Sequence, residues 1–168
     1  MINLERMFIM NNQNRVTSNI SIENAHIMWR NFAGKPSQYN AQGKRNFCVQ
    51  LDDELAHELE RDGWAVKWRE PRDPQDSPFA YLQVSVSFDV IPPNIYTVTS
   101  RNKTRLTAET VDILDWADIA NVDLIIRPYN WEVNGKHGVK AYVKAMYVTL
   151  DEDEFADKYA DLSDGNED

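Results

Sequence analysis

Two runs of alternating apolar and polar residues, 121–133 and 138–150, face each other across Asn134-Gly135. That dipeptide suits a two-residue hairpin turn, because both central positions of a type I′ turn need a positive φ that Asn and Gly tolerate. On the return arm Val139, Ala141, Val143 and Ala145 share one face, and Lys140, Tyr142 and Lys144 share the other. After Ala145 the apolar positions move to Met146, Val148 and Leu150. Such a change of phase predicts a bulge or bend, of the kind a small barrel uses to close on itself.

The rest of the chain adds shorter elements of the same kind. Residues 20–32 and 45–51 read as strands, the second with Phe47, Val49 and Leu51 on one face. Residues 64–69 alternate, with Trp64, Val66 and Trp68 on one side and Lys67 and Arg69 on the other. In residues 80–90 an apolar row runs from Ala80 to Val90 and ends at Pro92-Pro93. Residues 95–99 and 105–107 fit the arms of a second hairpin. Between the early strands, residues 52–62 form a helix: Asp52, Asp53 and Glu54 suit its positive N-terminal end, and Gly63 suits its stop. A second short helix is expected over 109–116.

Many short strands with one or two short helices predict a mainly β chain. The best match is a closed or partly closed β-barrel like the oligonucleotide-binding fold, with a β-sandwich as the alternative. Three stretches follow: a flexible arm over 1–18, one barrel domain over 19–150, and a disordered acidic tail over 151–168. Met1, Met7 and Met10 are alternative starts between which the sequence does not choose.

Charge is distributed by the same division. The chain of 168 residues has a formal net charge of -9. Residues 151–168 carry nine acids and one lysine, so residues 1–150 are almost neutral, with 18 acids against 17 bases. The overall acidity therefore says nothing against a polyanionic ligand for the barrel. Residues 24–51 hold Arg30, Lys35, Lys44 and Arg45 and no acid. The 31–44 part is a polar loop too long for a plain connection.

Cations interleaved with aromatic rings suit a single nucleic-acid strand: the cations hold phosphates while the rings stack bases of any identity. Three groups show that pattern. Arg30, Phe32, Lys35, Tyr39, Lys44 and Arg45 lie in the first strands and their loop. Arg101, Lys103 and Arg105 form the tip of the second hairpin. Arg127, Tyr129 and Trp131 share a face of one long strand, opposite Lys140, Tyr142 and Lys144 on its partner. Trp29 keeps step with Ala25 and Ile27 and is expected in the core, as are Trp64 and Trp68. Arg30 and Phe32 would then point outward.

Catalytic patterns are missing from the sequence. His26, His57 and His137 have no partner at metal-ligand spacing, and no lysine follows a carboxylate by two positions as in many magnesium-dependent nucleases. No phosphate-binding loop or nucleophile elbow is present. The expectation is a non-enzyme without metal or cofactor. Cys48, the only cysteine, permits no internal disulfide and reads as a small buried residue. No apolar run approaches a membrane span, which with the lone thiol places the chain in cytoplasm.

The segments ISIENAHIMWRNFAG, GKRNFCVQLD, DGWAVKW and GVKAYVKAMYV, followed by an acidic C-terminus, resemble the phage-encoded single-stranded DNA-binding proteins over about residues 19–150. The resemblance implies an oligonucleotide-binding fold, single-stranded DNA as partner, a role in phage replication or recombination in the host cytoplasm, and tail contacts with replication or recombination proteins. The chain departs from that pattern by ending Gly-Asn-Glu-Asp rather than on a bulky hydrophobic residue, so Phe155, Tyr159 and Leu162 would have to serve. A reading from a different class makes the acidic tail the active part and the barrel its scaffold.

Overall fold

The computed structural model describes residues 15–152. Nine strands form one mixed sheet: β1 (Ile20–Ile22), β2 (Ile27–Asn31), β3 (Arg45–Leu51), β4 (Val66–Arg69), β5 (Phe79–Val86), β6 (Asn94–Val98), β7 (Lys103–Leu106), β8 (Ile119–Val133) and β9 (Lys136–Leu150). Among the described residues there are also one α-helix, α1 (Asp53–Asp62), and one 3-10 helix, Val111–Asp115. The sheet path runs β1-β8-β9-β5-β3-β2. Its two ends are consecutive in sequence: the backbone pairs with β8 through Ile20 to Ile22, turns over residues 23–26, and pairs with β3 from Ile27. The sheet is thus wrapped round by one chain segment that changes partner, which makes a partly closed barrel.

The long hairpin forms as its sequence predicts. Asn134 and Gly135 adopt φ of 52° and 79°, as a type I′ turn requires. The phase change in β9 is a bulge: Ile125 pairs Ala145 while Ile126 pairs Val143, leaving Lys144 as the extra residue. Beyond that bulge β9 pairs in parallel with β6, from Ala145 to Thr149, and before it with β5 at Ala141 and Tyr142. The bulge therefore divides β9 into two ends with different neighbours.

Helix α1 starts where expected. The Asp52 carboxylate accepts from the Leu55 N–H at 2.7 Å, and Gly63 ends the helix at φ 98°. Ala56 and Leu59 enter the core beside Trp64. Inside the barrel Phe32 and Phe47 stack with centroids 5.2 Å apart, among Val49, Leu82, Val84, Ile126 and Met146.

Several sequence expectations need correction. The stretch 20–32 is two strands rather than one, and β5 ends at Val86, so Val90 lies outside it and is exposed. The second helix is a five-residue 3-10 turn. Trp68 is 40% exposed although its register is inward, because β4 is a short edge strand. Its Nε1 donates to the Glu60 carboxylate and its ring lies beside His57, so it covers the rim of α1. The largest correction comes from β2. Met28 pairs Cys48 and Asn31 pairs Asn46, three steps on one strand against two on the other. This bulge absorbs Trp29 and reverses the alternation after it. Phe32, expected outward, is fully buried; Trp29, expected inward, is 47% exposed.

Candidate nucleic-acid interface

The loop between β2 and β3 is built by its asparagines and glycines. Gly34 and Gly43 meet at the neck: the Gly43 N–H donates to the Gly34 carbonyl at 2.8 Å, and a Cβ on Gly34 would stand 2.9 Å from the Gly43 carbonyl carbon. The Asn40 amide donates to the Lys35 and Lys44 carbonyls and is itself held by Asn46. Asn31 grips Lys35 through both its backbone groups. At the base, the Asp115 carboxylate accepts from the backbone N–H groups of Phe32 and Ala33 at 2.6 and 3.0 Å. These bonds give a polar loop a fixed shape and present Tyr39, 90% exposed, and Lys44 at its rim.

Facing that rim is the outer surface of the β8–β9 hairpin. Arg127 pairs Tyr142, Tyr129 pairs Lys140 and Trp131 pairs Gly138, so all their side chains emerge on one face. The Arg127 guanidinium stands 4.7 Å from the Tyr142 ring centre, the Lys140 ammonium 5.1 Å from it, and Tyr129 meets the same ring edge-on at 5.9 Å. Each cation is thus positioned by a ring it polarises. Between hairpin and loop lies a groove of about 640 Å³, bounded by Tyr39, Lys44, Trp131, Lys140 and Tyr142 and floored by Asn46, Gln83 and Ser85. Members of two of the three expected groups meet here, Tyr39, Lys44 and Arg45 from one and Trp131, Lys140 and Tyr142 from the other, although about 90 residues separate them in the chain.

The remaining candidates lie elsewhere or have other duties. Phe32 cannot reach a base from inside the core. Arg30 donates to the carbonyls of Leu114 and Ala117, each at 2.9 Å, and so ties β2 to the 3-10 helix, away from the groove. Arg45 borders the groove but donates to the Phe32 and Ala108 carbonyls at 2.6 and 2.9 Å, which makes it a brace between loop and barrel. Lys35 and Lys144 are exposed outside the groove lining. The basic hairpin is attached through β6 to the far end of β9. There Lys103 lies 4.5 Å from the Tyr96 ring and 5.8 Å from Tyr147, and Arg105 is exposed on β7. The turn that carries Arg101 is capped by Glu152, whose carboxylate accepts from the Ser100 N–H at 3.0 Å. Phe155, Tyr159 and Leu162, with the arm up to residue 14, lie outside the described residues. Val16, next to that arm, exchanges two hydrogen bonds with the Asn130 side chain.

Sequence reasoning missed a second collection of rings on the outer sheet face. Trp29 meets Tyr81 edge-on at 5.0 Å, Phe79 lies 6.2 Å from Tyr81, and the Arg69 guanidinium is 5.1 Å from the Trp29 ring. Nothing in the local sequence announces the bulge that turns Trp29 outward. Cys48 lies between the two collections by register, buried under its neighbours; burial raises its thiol from 9.0 to about 11, partly opposed by the positive charge of Lys67. Among the described residues no group of three or more His, Cys, Asp or Glu stands together as a metal site would need, and no helix is long and apolar enough to cross a membrane.

Comparison with known proteins gives a family and a fold. The family described as "Putative phage ssDNA-binding domain" matches residues 10–168. No curated protein matches the sequence. Among solved structures, the chain is similar to the single-stranded DNA-binding protein from bacteriophage Enc34 in complex with ssDNA, with a TM-score of 0.54 and 10% identity over 82% of this chain and 89% of that one. A second structure, of the single-stranded DNA-binding protein from bacteriophage Enc34, gives a TM-score of 0.51 and 12% identity over 88% and 89% of the two chains. At such identities the likeness is one of fold, and the fold is the oligonucleotide-binding type.

Proposed function

Because the chain belongs to the phage single-stranded DNA-binding domain family, we propose that the groove between the 32–44 loop and the β8–β9 hairpin is where it takes up a single DNA strand. The observation that carries this reading is the meeting of Tyr39 and Lys44 with Trp131, Lys140 and Tyr142 on one groove. Trp131, Tyr142, Tyr129 and Tyr39 would stack bases, and Lys44, Lys140 and Arg127 would neutralise phosphates. Stacking is worth roughly 1–3 kcal/mol per base and is indifferent to base identity, so binding would tolerate most sequences. Lys35, Lys144, Arg101, Lys103 and Arg105 stand outside the groove and would add to the attraction at longer range. No reaction is assigned: the protein acts by holding the strand. The site of action would be the host cytoplasm, in phage replication or recombination.

The test is fluorescence anisotropy with labelled oligothymidylate at two salt concentrations. Phosphate neutralisation releases counterions, so affinity should fall steeply as salt rises. A flat titration in dilute buffer would end the reading. The acidic segment 151–168 would serve replication or recombination proteins through Phe155, Tyr159 and Leu162, or shield the groove until DNA displaces it. Removing residues 151–168 should leave affinity unchanged or raised; a clear loss contradicts the shielding role.

A further inference from the structure

We propose that Trp29 and Tyr81, flanked by Arg69 and Lys67, form a second stacking station for the same strand, joined to the groove along the outer face of β5. The inference rests on the groove being a single-stranded DNA site.

Trp29 combines two unfavourable features. Its backbone is left-handed at φ 50°, a genuine outlier for a bulky side chain, and its ring is 47% exposed. Strained residues of this kind persist where the surroundings impose them, and they gather at ligand-binding positions. Packing alone gives no reason for it, because the bulge that strains Trp29 also takes its ring out of the core. What the bulge achieves is to stand the indole against Tyr81 with a guanidinium 5.1 Å from its centre. A ring with a cation beside it is the unit repeated at Tyr142 with Arg127 and Lys140.

Register joins the two places. Ser85 pairs Tyr142 at the groove, and Tyr81 pairs both Gln50 of β3 and Lys67 of β4. Ser85 and Tyr81 are four residues apart on one strand face, which spans about 13 Å. Gln83 lies between them, exposed, and belongs to the groove lining. Lys67 and Arg69 follow on the β4 side, both exposed and on the face of Tyr81 and Phe79. A strand leaving the groove over Gln83 would meet rings and cations rather than an acidic surface.

The test uses the full chain with two labelled oligothymidylates, one of about 4 nucleotides and one of about 16. Trp29→Asn removes the ring and keeps a residue suited to the left-handed backbone; its thermal midpoint is recorded beside wild type. The expected result is about tenfold weaker binding of the long oligonucleotide and unchanged binding of the short one. Trp29→Phe, which retains a ring, should recover most of the loss. Trp131→Ala, in the groove, should weaken both lengths. If Trp29→Asn folds and binds both lengths like wild type while Trp131→Ala weakens both, the second station is overturned and the groove reading stands. If wild type binds neither oligonucleotide, both fall together.

Discussion

The indole of Trp131 rests on Gly138. A Cβ built on that glycine would stand 2.9 Å from Cζ2 of the ring and 3.0 Å from Cε2 and Nε1. Real Cβ atoms do not approach so closely, so any side chain at residue 138 must lift the indole off its strand.

Gly138→Ala therefore tests the stacking surface without touching a proposed contact. Residue 138 has an ordinary strand backbone, so the fold should be retained. Displacing Trp131 should weaken single-stranded DNA binding by about 1–3 kcal/mol, the worth of one stacked base. Equal affinities for wild type and variant in an anisotropy titration would remove Trp131 from the site.

Lys140 reports on phosphate neutralisation. Lys140→Gln keeps a polar side chain, one atom shorter, and removes its charge. The slope of log affinity against log salt should become shallower by about 0.7, the contribution of one phosphate contact on a single strand. An unchanged slope would mean that the ammonium, exposed though it is, touches no phosphate.

Asp115 tests the base of the loop. Its carboxylate takes the N–H groups of Phe32 and Ala33, and hydrogen bonds to a charged acceptor are among the stronger ones. Asp115→Ala should cost about 2 kcal/mol and lower the thermal midpoint by about 6 °C. Denaturant and thermal unfolding check both figures; a midpoint equal to wild type would show that the loop is held without it.

Cys48 gives a dependence on pH. Its thiol is raised from 9.0 to about 11 by burial, so the native state resists ionisation that the unfolded chain accepts. The contribution to stability is complete below pH 9 and is lost as pH climbs from 9 towards 11. Wild type should lose more stability over that window than Cys48→Ala, measured as urea midpoints at successive pH values. Parallel curves would show that the thiol is solvated in the native state.

Strand alternation, turn chemistry and capping were all legible before folding because each is local. The period-two runs around Asn134-Gly135 specify the hairpin, and its outward row of Arg127, Tyr129 and Trp131 facing Lys140 and Tyr142 follows from that period. Asp52 and Gly63 bound a helix by groups within one turn of themselves. Tertiary structure alone decided what depends on long-range pairing. One residue inserted opposite β3 exchanged the fates of Trp29 and Phe32, because each slip of one position in a sheet moves every later side chain to the other face. Arg30 and Arg45 read as free cations until carbonyls more than 60 residues away claimed their donors. The amino-acid order thus determined which strands and turns form; the pairing of remote strands determined which of their rings and charges share a surface, since contact between distant segments is settled by register and burial rather than by neighbouring residues.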